Sequence, residues 1–340
     1  MEEIAYTGED REWMPLDDAT GPARLRRAAV LIASGLGISE HRAAEVAIAV
    51  TEVATNAYKY GKNAKAVLRV LRAQGFAALE AVIFDAGPGI ADIAAASKDG
   101  FSTGGTLGVG IGSAKRLSSS YASHSVIGKG TVTVLRFWQP GAPAQAQAPA
   151  AVAGITRPIN GEVQCGDSWA HRSDGRRTML MLADGLGHGE LAATASRAAV
   201  SAFLASRPLA PGAMLKEIDV ALRHTRGAAA AVIAFERSSG VLTFAGVGNV
   251  GVWIESDGLR KGLPSQPGIV GSFSRAIRDV EFALPPHALV VMHSDGLTSK
   301  WDLGAYPGIR MQDPAIVAAT LMRDAGTHHD DASALVAKAS

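Results

Sequence analysis

The sequence predicts an α+β protein with two domains, and three observations support this fold class. First, the chain has 340 residues, of which 47% are hydrophobic and 19% charged, a composition typical of folded domains and a length that suffices for two of them. Second, residues 139–154 carry no charge and no apolar periodicity, as is typical of a linker. Third, helical and strand-like patterns are mixed on both sides of that segment. We therefore predict domains at 1–138 and 155–340, joined by the linker 139–154.

The first domain is predicted to consist of helices packed against one sheet. Apolar residues recur at helical spacing in two long segments, and apolar runs of strand length follow them. The predicted elements are helices near 22–35 and 39–60, strands at 65–72 and 77–84, a glycine-rich stretch, a helix near 110–119 and a strand at 131–138.

The second domain is predicted to mix strands and helices as well. Its sequence shows no internal repeat of the kind that forms a solenoid. The predicted elements are strands near 178–183, 228–236, 241–247, 250–255 and 288–293, and helices near 190–206, 211–224 and 314–325.

Charge and cysteine content exclude several classes of function. Lys and Arg total 33 against 32 for Asp and Glu, so no global field attracts nucleic acid or an acidic membrane surface. The single cysteine, Cys165, cannot form an internal disulfide, and the start MEEIAYTGED lacks the basic and apolar regions of a signal peptide. The longest apolar runs, such as 228–235, are far shorter than the roughly 18 residues of a membrane helix. We expect a cytoplasmic protein that binds neither nucleic acid nor membrane.

Glu52 and Asn56 interrupt the apolar stripe of the second predicted helix. They lie four residues apart, so their side chains project to the same side and can converge on one ligand. A pair of this kind, taken alone, is more typical of the solvated polar edge of an amphipathic helix.

The motif FDAGPGI, at 84–90, follows the second predicted hairpin strand. Asp85 ends an apolar run, where its carboxylate can accept a hydrogen bond from an exocyclic amine. Gly87 and Gly89 allow the backbone to approach a planar ligand closely. The same motif is also compatible with an ordinary tight turn.

A second glycine-rich stretch, STGGTLGVGIGSAKRL at 102–117, leads into a predicted helix. Backbone amides at a helix start suit phosphate oxygens, and Lys115 and Arg116 add positive charge. A further motif, GKGTV at 128–132, is a turn that enters a strand. The glycines of the longer stretch are Gly104, Gly105, Gly108, Gly110 and Gly112.

The order of these motifs resembles the ATP-binding domain of the GHKL superfamily, which includes gyrase, histidine kinases and MutL. Within it, DAGPGI and GVGIGSAKRL look most like the anti-sigma-factor serine kinases of the RsbT type, over about residues 5–138. The resemblance implies a GHKL (Bergerat) α/β sandwich that binds ATP and Mg²⁺. It implies that Glu52 is the general base and Asn56 a Mg²⁺ ligand. It also implies that Asp85, supported by Thr131, binds the adenine amine.

Four acidic motifs in the second domain lie next to strand-like runs. A single Asp-Gly pair usually marks only a turn. Acidic residues at several strand ends can instead gather on two hard cations, which activate a water and bind a phosphoryl group. The motifs are CGD at 165–167, LADGLGHG at 182–189, HSDGL at 293–297 and HHDDAS at 328–333.

This order resembles the SpoIIE-like branch of the metal-dependent type 2C protein phosphatases, and DGLGHG looks especially similar to RsbX. The resemblance covers about residues 155–340 and implies an αββα sandwich with two Mn²⁺ or Mg²⁺ ions. The neighbouring histidines and Cys165 are interpreted as incidental or structural, because the metals of the family use oxygen ligands. The implied metal ligands are Asp167, Asp184 between the two metals, the carbonyl of Gly185, Asp295 and Asp330, with Asp331 left open as an alternative to Asp330.

Together, the two resemblances imply a switch kinase fused to an opposing phosphatase in a stress-response partner-switching pathway. The expected substrate is a Ser or Thr of a STAS-domain anti-sigma antagonist, with a sigma factor or a downstream phosphatase as further candidate partners. An alternative stays open, in which the first domain is a nucleotide-gated binding module that controls the attached phosphatase or sequesters a sigma factor. The presence of Glu52 favours phosphate transfer, because a pure nucleotide sensor needs no general base.

Overall fold

The computed structural model describes residues 4–6, 9–93, 110–147, 150–174, 176–207, 209–236, 238–272 and 275–339. The chain folds into two compact units, and neither is a single stretch of sequence. The N-unit comprises Glu9–Ala150 and Ala305–Arg323. The C-unit comprises Met1–Gly8, Ala151–Gly304 and Asp324–Ser340. The sequence-based limits at 138 and 155 remain a prediction, and they did not anticipate that each unit includes a segment from the other end of the chain.

Helices and strands occur in both units. Up to residue 147 they are, in chain order, β1 Ile4–Tyr6, β2 Glu9–Pro15, α1 Gly21–Gly35, α2 Glu40–Tyr60, β3 Lys65–Ala73, β4 Phe76–Asp85, α3 Gly110–Leu117, β5 Ser120–Val126, β6 Gly130–Trp138 and α4 Ala144–Gln147. From residue 150 they are β7 Val152–Arg157, β8 Asp167–Ser173, β9 Arg177–Gly185, α5 Glu190–Ala205, α6 Pro211–Leu222, β10 Ala228–Glu236, β11 Val241–Val247, β12 Gly251–Ser256, β13 Leu259–Leu263, β14 Val280–Ala283, β15 Leu289–His293, α7 Pro314–Ala325 and β16 Ala332–Lys338. None of the described helices is long and apolar enough to cross a membrane.

In the N-unit, five antiparallel strands form a sheet in the order β2-β3-β4-β6-β5. Helices α1 and α2 pack on one face of this sheet and share its apolar core. Helix α2 begins after Ser39, whose side chain accepts a hydrogen bond from the backbone amide of Arg42, and it ends at Tyr60. Its buried stripe, which includes Val46 and Val50, holds the helix against the sheet and leaves its polar residues beside that contact.

The same sheet carries a buried ionic network. Glu80 on β4 lies directly across from Arg69 on β3 and Arg136 on β6. It is fully buried and accepts hydrogen bonds from Nε of Arg69 at 2.8 Å and Nε of Arg136 at 2.6 Å. Arg136 also donates to both carboxylate oxygens of Asp313, at 2.6 and 2.9 Å. Segment 305–323 is thus anchored to the sheet by paired charges, the arrangement that buried ions require.

The C-unit is a sandwich of two antiparallel sheets. The larger sheet has the strand order β1-β8-β9-β10-β11-β14, and the smaller has the order β13-β12-β15-β16-β7. Apolar side chains from both sheets, such as Leu182 and Met292, form the core between them. Helices α5 and α6 cover the outer face of the larger sheet, where Phe203 and Leu215 belong to the same core as Met181. The predicted α+β class is confirmed in both units.

Several strands were absent from the sequence prediction. β5 and β8 read SYASHSV and DSWAHRS, which contain too few apolar residues to show a strand pattern. β7 begins at Val152, inside the predicted linker, and helix α4 also lies there. All six residues of β7 are buried, and the strand pairs with β16 at the edge of the smaller sheet. β5 and β8 each pair with the strand that follows them, and β7 pairs with the distant β16, so strand pairing rather than local periodicity forms these three strands.

Candidate functional site

The first cluster of sequence-predicted residues lies between α2 and α3 of the N-unit. Glu52 and Asn56 are both half-buried, one turn apart on α2. A Cβ added at Gly110, the first residue of α3, would lie 3.5 Å from Oε2 of Glu52 and 3.6 Å from Nδ2 of Asn56. Both side chains therefore face the N-terminus of α3, where helix amides lack partners within the helix and can bind an anion. The structure brings Glu52, Asn56 and Gly110 together, and their assignment to a phosphate and metal-ion site stays a prediction.

The other residues predicted to bind phosphate are Gly108, Gly112 and Lys115. Gly108 lies outside the described residues. Gly112 is buried within α3, and Lys115 is exposed on the last turn of that helix. No hydrogen bond or ion pair joins the Lys115 side chain to Glu52 or Asn56 in the described part of the chain. The assignments of Gly108 and Lys115 to a phosphate site stay predictions.

Asp85 is buried at the end of β4. Its Oδ1 accepts a hydrogen bond from the backbone amide of Gly87 at 2.7 Å, and Thr131 is its direct neighbour on β6. Burial raises the pKa of the Asp85 carboxyl, although the hydrogen bonds to Gly87 and Thr131 act in the opposite direction. The Thr131 hydroxyl shares a hydrogen bond of 2.8 Å with the hydroxyl of Ser125. The structure therefore places Asp85, Gly87 and Thr131 in one group, and their role as an adenine contact stays a prediction.

Glycines allow this group to form, and one of them was missed in the sequence. A Cβ added at Gly61, directly after α2, would lie 2.6 Å from Cβ of Asp85. A Cβ at Gly87 would lie 2.8 Å from Oδ1 of Asp85. Gly89 has φ +76°, and a Cβ there would lie 2.3 Å from the carbonyl oxygen of Val126. Gly61 could have been identified by its position directly after a helix that carries ligand candidates.

Arg323 on α7 contacts the backbone of Asp85. Its Nη1 donates a hydrogen bond of 2.9 Å to the carbonyl oxygen of Asp85. Its guanidinium carbon lies 5.7 Å from the centre of the Tyr306 ring, and the ammonium group of Lys129 lies 4.7 Å from the same centre. No local signal in the sequence predicts this contact, because Arg323 and Asp85 are 238 positions apart.

The second cluster lies at one end of the larger sheet in the C-unit. Asp167 on β8 and Asp184 on β9 are directly paired across the two strands. Asp167 is 3% exposed, and its Oδ2 accepts a hydrogen bond of 2.6 Å from the hydroxyl of Ser294. Its Oδ1 is buried and has no hydrogen-bond partner among the described residues. An unpartnered buried carboxylate oxygen of this kind is a candidate metal ligand.

Like charges surround Asp184. Burial raises the pKa of its carboxyl to about 9, and the negative charges of Asp167, Asp295 and Asp330 contribute in the same direction. Burial also raises the pKa of Asp167 to about 7, despite the hydrogen bond from Ser294. These four aspartates therefore lie near one another, and without a cation the two buried carboxyl groups retain protons.

Asp295 directly follows Ser294, just beyond the end of β15. Its Oδ2 accepts a hydrogen bond of 2.7 Å from the side-chain amide of Asn249, which orients the carboxylate. Burial raises the pKa of Asp295, and the charge of Asp330 raises it further. Asn249 was not recognised in the sequence, although it lies in GVGNVG, a turn between two predicted strands.

The two aspartates of the HHDDAS motif differ in their contacts. Asp331 accepts hydrogen bonds from the backbone amides of Ile159 at 2.8 Å and Gly166 at 2.9 Å, one on each oxygen. Asp330 accepts one from the backbone amide of Asp331, at 2.8 Å. The carboxylate of Asp331 is therefore used to hold two loops, and Asp330 retains free acceptor capacity. This difference favours Asp330 as the metal ligand.

Gly185 has a steric role that the sequence did not reveal. A Cβ at this position would lie 2.2 Å from the carbonyl oxygen of Ala192, so a larger residue would push α5 away from the sheet. Two of the nearby histidines contact other residues. Nδ1 of His188 lies 2.9 Å from Oε1 of Glu162, while Nε2 of His293 accepts a hydrogen bond of 3.1 Å from Nε1 of Trp253.

The carboxylate cluster fits divalent cations in its chemistry. No group of three or more His, Cys, Asp or Glu side chains within the described ranges is arranged so that it could hold a metal ion as it stands. The donors are nevertheless all hard oxygens, one buried oxygen of Asp167 lacks a partner, and the pKa of Asp184 reflects burial together with repulsion between carboxylates. A cation that replaces the bound protons would relieve that repulsion.

Comparisons with known proteins identify two families along the chain. Residues 15–137 match the family described as "Histidine kinase-like ATPase domain", and residues 174–340 match "Stage II sporulation protein E (SpoIIE)". The chain is also similar to the serine/threonine-protein kinase RsbT of Bacillus subtilis (strain 168). The two are 36% identical over 100 residues, which are 29% of this chain and 75% of RsbT.

Solved structures are similar to the chain as well. One comes from work on the bacterial stressosome, described as a modular system adapted to control secondary messenger signalling. It is 28% identical with a TM-score of 0.51, and the match covers 55% of this chain and 98% of that one. Another is RsbX in complex with magnesium, 21% identical with a TM-score of 0.48, over 55% of this chain and 94% of RsbX.

Proposed function

The chain belongs to the RsbT family through its histidine kinase-like ATPase domain and carries a SpoIIE domain, and on this basis we propose that it is a partner-switching regulator with opposing protein kinase and phosphatase activities. Its proposed substrate is a phosphorylatable Ser or Thr on a STAS-domain anti-sigma antagonist. The observation that carries the proposal is the gathering of four aspartates around Asp184, supported by the SpoIIE match over most of the same residues.

In the phosphatase half, the residues that would hold two Mn²⁺ or Mg²⁺ ions are the aspartates at 167, 184, 295 and 330, of which Asp184 is the central one. When bound, such ions lower the pKa of a coordinated water and neutralise charge on the phosphoryl group. Other residues of the chain orient these carboxylates and the loops beside them. Ser294 fixes one oxygen of Asp167 and leaves the other free, Asn249 fixes Asp295, and Asp331 holds the loops at Ile159 and Gly166.

In the kinase half, Glu52 would accept the proton of the attacking Ser or Thr hydroxyl, and Asn56 would hold the Mg²⁺ ion of the nucleotide. The N-terminus of α3 lies beside both residues, and its backbone amides would bind phosphate oxygens. Asp85 would accept a hydrogen bond from the adenine amine, and Gly61 and Gly87 allow the backbone to pack closely around the Asp85 side chain. ATP with Mg²⁺ is the proposed cofactor of this half.

One observation favours the alternative, in which nucleotide binding in the first domain controls the attached phosphatase without phosphate transfer. Arg323 lies within the SpoIIE match, yet it donates a hydrogen bond to the carbonyl of the proposed adenine-binding residue Asp85. The proposed nucleotide site is therefore in contact with a residue that the SpoIIE match includes. The presence of Glu52 still favours phosphate transfer.

A single experiment tests both halves. The full chain is incubated with candidate STAS proteins, in serine-phosphorylated and unmodified forms, with ATP and Mg²⁺ or Mn²⁺, and phosphoserine is followed by mass spectrometry. Loss of phosphate without nucleotide supports the phosphatase, and gain of phosphate in the Asp184→Asn variant supports the kinase. If nucleotide changes only the rate of dephosphorylation, the alternative is correct. If phosphate is neither gained nor lost on any STAS protein, the proposed substrate class is wrong.

A further inference from the structure

Arg226 lies at the rim of the carboxylate cluster and has no role in the proposed metal centre. It directly precedes Gly227 and strand β10, whose residues Ala228 and Ala229 pair with Gly185 and Asp184. A Cβ added at Gly187 would lie 2.9 Å from Nη1 of Arg226, so the guanidinium lies against the DGLGHG loop. Arg226 is exposed, and its guanidinium makes no hydrogen bond or ion pair with another residue in the described part of the chain.

Two partly exposed apolar side chains lie beside this arginine. The backbone amide of Leu186 donates a hydrogen bond of 3.1 Å to the carbonyl of Gly227. A Cβ added at Gly227 would lie 2.6 Å from Cγ2 of Ile269 and 3.8 Å from Cδ1 of Leu186. Leu186 is 37% exposed and Ile269 is 39% exposed. Arg226, Leu186 and Ile269 thus form one surface, which we call the rim patch.

The charge of the site indicates what the rim patch binds. Four carboxylates and two divalent cations sum to about zero net charge, so the filled centre has no net attraction for a phosphate dianion at a distance. A free guanidinium at its edge adds the missing positive charge and can bind two phosphate oxygens at once. An exposed leucine and isoleucine beside it suit an apolar side chain next to the phosphorylated residue.

We propose that the rim patch is the substrate-recognition surface of the phosphatase, in which Arg226 binds the phosphate and Leu186 with Ile269 bind an apolar residue adjacent to the phosphoserine or phosphothreonine of a protein substrate. This assignment rests on the proposed phosphatase activity. It makes Arg226 a specificity-determining residue that contacts substrate and binds no metal.

Steady-state kinetics of the full chain test the assignment with two substrates. One is a phosphoserine peptide with leucine beside the phosphoserine, and the other is para-nitrophenyl phosphate, which carries the phosphate without a peptide. The variants are Arg226→Ala, Arg226→Lys and Leu186→Gln, with Arg223→Ala as the matched control, since Arg223 is an exposed arginine of the same segment. Thermal unfolding of each variant verifies that it is folded.

Arg226→Ala is expected to raise KM about 10-fold or more for both substrates with little change in kcat, the scale of a lost hydrogen bond between charged groups. Arg226→Lys should recover part of this loss, and Leu186→Gln should raise KM for the peptide alone. Anisotropy of the labelled peptide with the Asp184→Asn variant, with and without Arg226→Ala, gives the same comparison without turnover. An unchanged KM in Arg226→Ala, or an equal rise in Arg223→Ala, would overturn the assignment while leaving the phosphatase intact. Absence of hydrolysis by the wild-type chain would instead overturn the proposed function itself.

Discussion

Proton release on metal binding provides a direct test of the Asp184 cluster. Burial and repulsion between carboxylates raise the pKa of Asp184 to about 9 and burial raises that of Asp167 to about 7, so this carboxyl pair holds at least one proton in the metal-free protein at pH 7. A divalent cation binds the ionised forms, so filling the centre at pH 7 should release about one to two protons. Apparent metal affinity should rise by about tenfold per pH unit between pH 7 and pH 9, because the cation competes with the proton on Asp184.

The perturbation is Asp184→Asn, which keeps the shape of the side chain and removes the titrating group. Mn²⁺ titrations by calorimetry in two buffers of different ionisation enthalpy count the protons released. The wild-type chain is expected to release about one to two protons and the variant fewer, since asparagine does not titrate. Asp257→Asn is the matched control, because Asp257 is an exposed aspartate of the same unit and should leave the count unchanged.

The raised pKa of Asp184 also determines whether stability rises or falls with pH. The metal-free folded state holds protons on Asp184 that the unfolded chain loses at its ordinary pKa, so stability without metal should fall as pH rises from about 4 to about 9. Added Mn²⁺ should reverse this trend. If the wild-type chain releases no protons on binding Mn²⁺ at pH 7, or releases as many as Asp184→Asn, the four aspartates do not form the proposed centre.

Four further predictions concern the other residues. Asp85→Asn should weaken ATP binding, measured by calorimetry, more than Glu52→Ala does, and equal affinity in wild type and Asp85→Asn would contradict the adenine assignment. Glu52→Ala should bind ATP normally yet slow phosphate transfer by about 10²-fold, the scale of a lost general base, whereas unchanged transfer would point to a different base. Asp330→Asn should abolish dephosphorylation at low Mn²⁺. Asp331→Asn should mainly lower the free energy of unfolding in urea, by about 1–2 kcal/mol, because a hydrogen bond from a backbone amide is lost. If Asp331→Asn abolishes dephosphorylation and Asp330→Asn only lowers stability, Asp331 is the metal ligand instead. Asp313→Ala leaves a buried arginine with one partner fewer and should lower stability in urea by about 3–5 kcal/mol, so a loss below about 1 kcal/mol would show that the ionic network is not formed.

The parts of the site that the sequence predicted are those set by short-range geometry. Glu52 and Asn56 share a helix face because they are four residues apart, and the structure places them beside Gly110. Asp85 and Asp184 were found because each ends a strongly apolar strand. Each of these sequence patterns spans only a few residues, so helix or strand periodicity is enough to reveal it.

The remaining contacts depend on pairing between distant segments. Asp167 begins β8, which was not predicted because DSWAHRS has no apolar alternation, so its pairing with Asp184 could only be inferred from family resemblance. Arg323 meets Asp85 across 238 positions, and Arg226 meets Gly187 through the pairing of β9 with β10. The different roles of the two aspartates in HHDDAS follow from loop amides that no local pattern specifies.

Because each unit includes a segment from the other end of the chain, a single break in the gene cannot separate the two units. Suppose that the gene were broken at the codons for residues 139–154. The upstream product would lack Ala305–Arg323, and therefore Asp313, the partner of Arg136. The downstream product would lack strand β1. Neither product would be a complete unit. A chimera that exchanges the SpoIIE-matching residues for those of a relative would therefore also exchange a segment of the N-unit, and it should keep residues 305–323 of this chain if the N-unit is to stay intact.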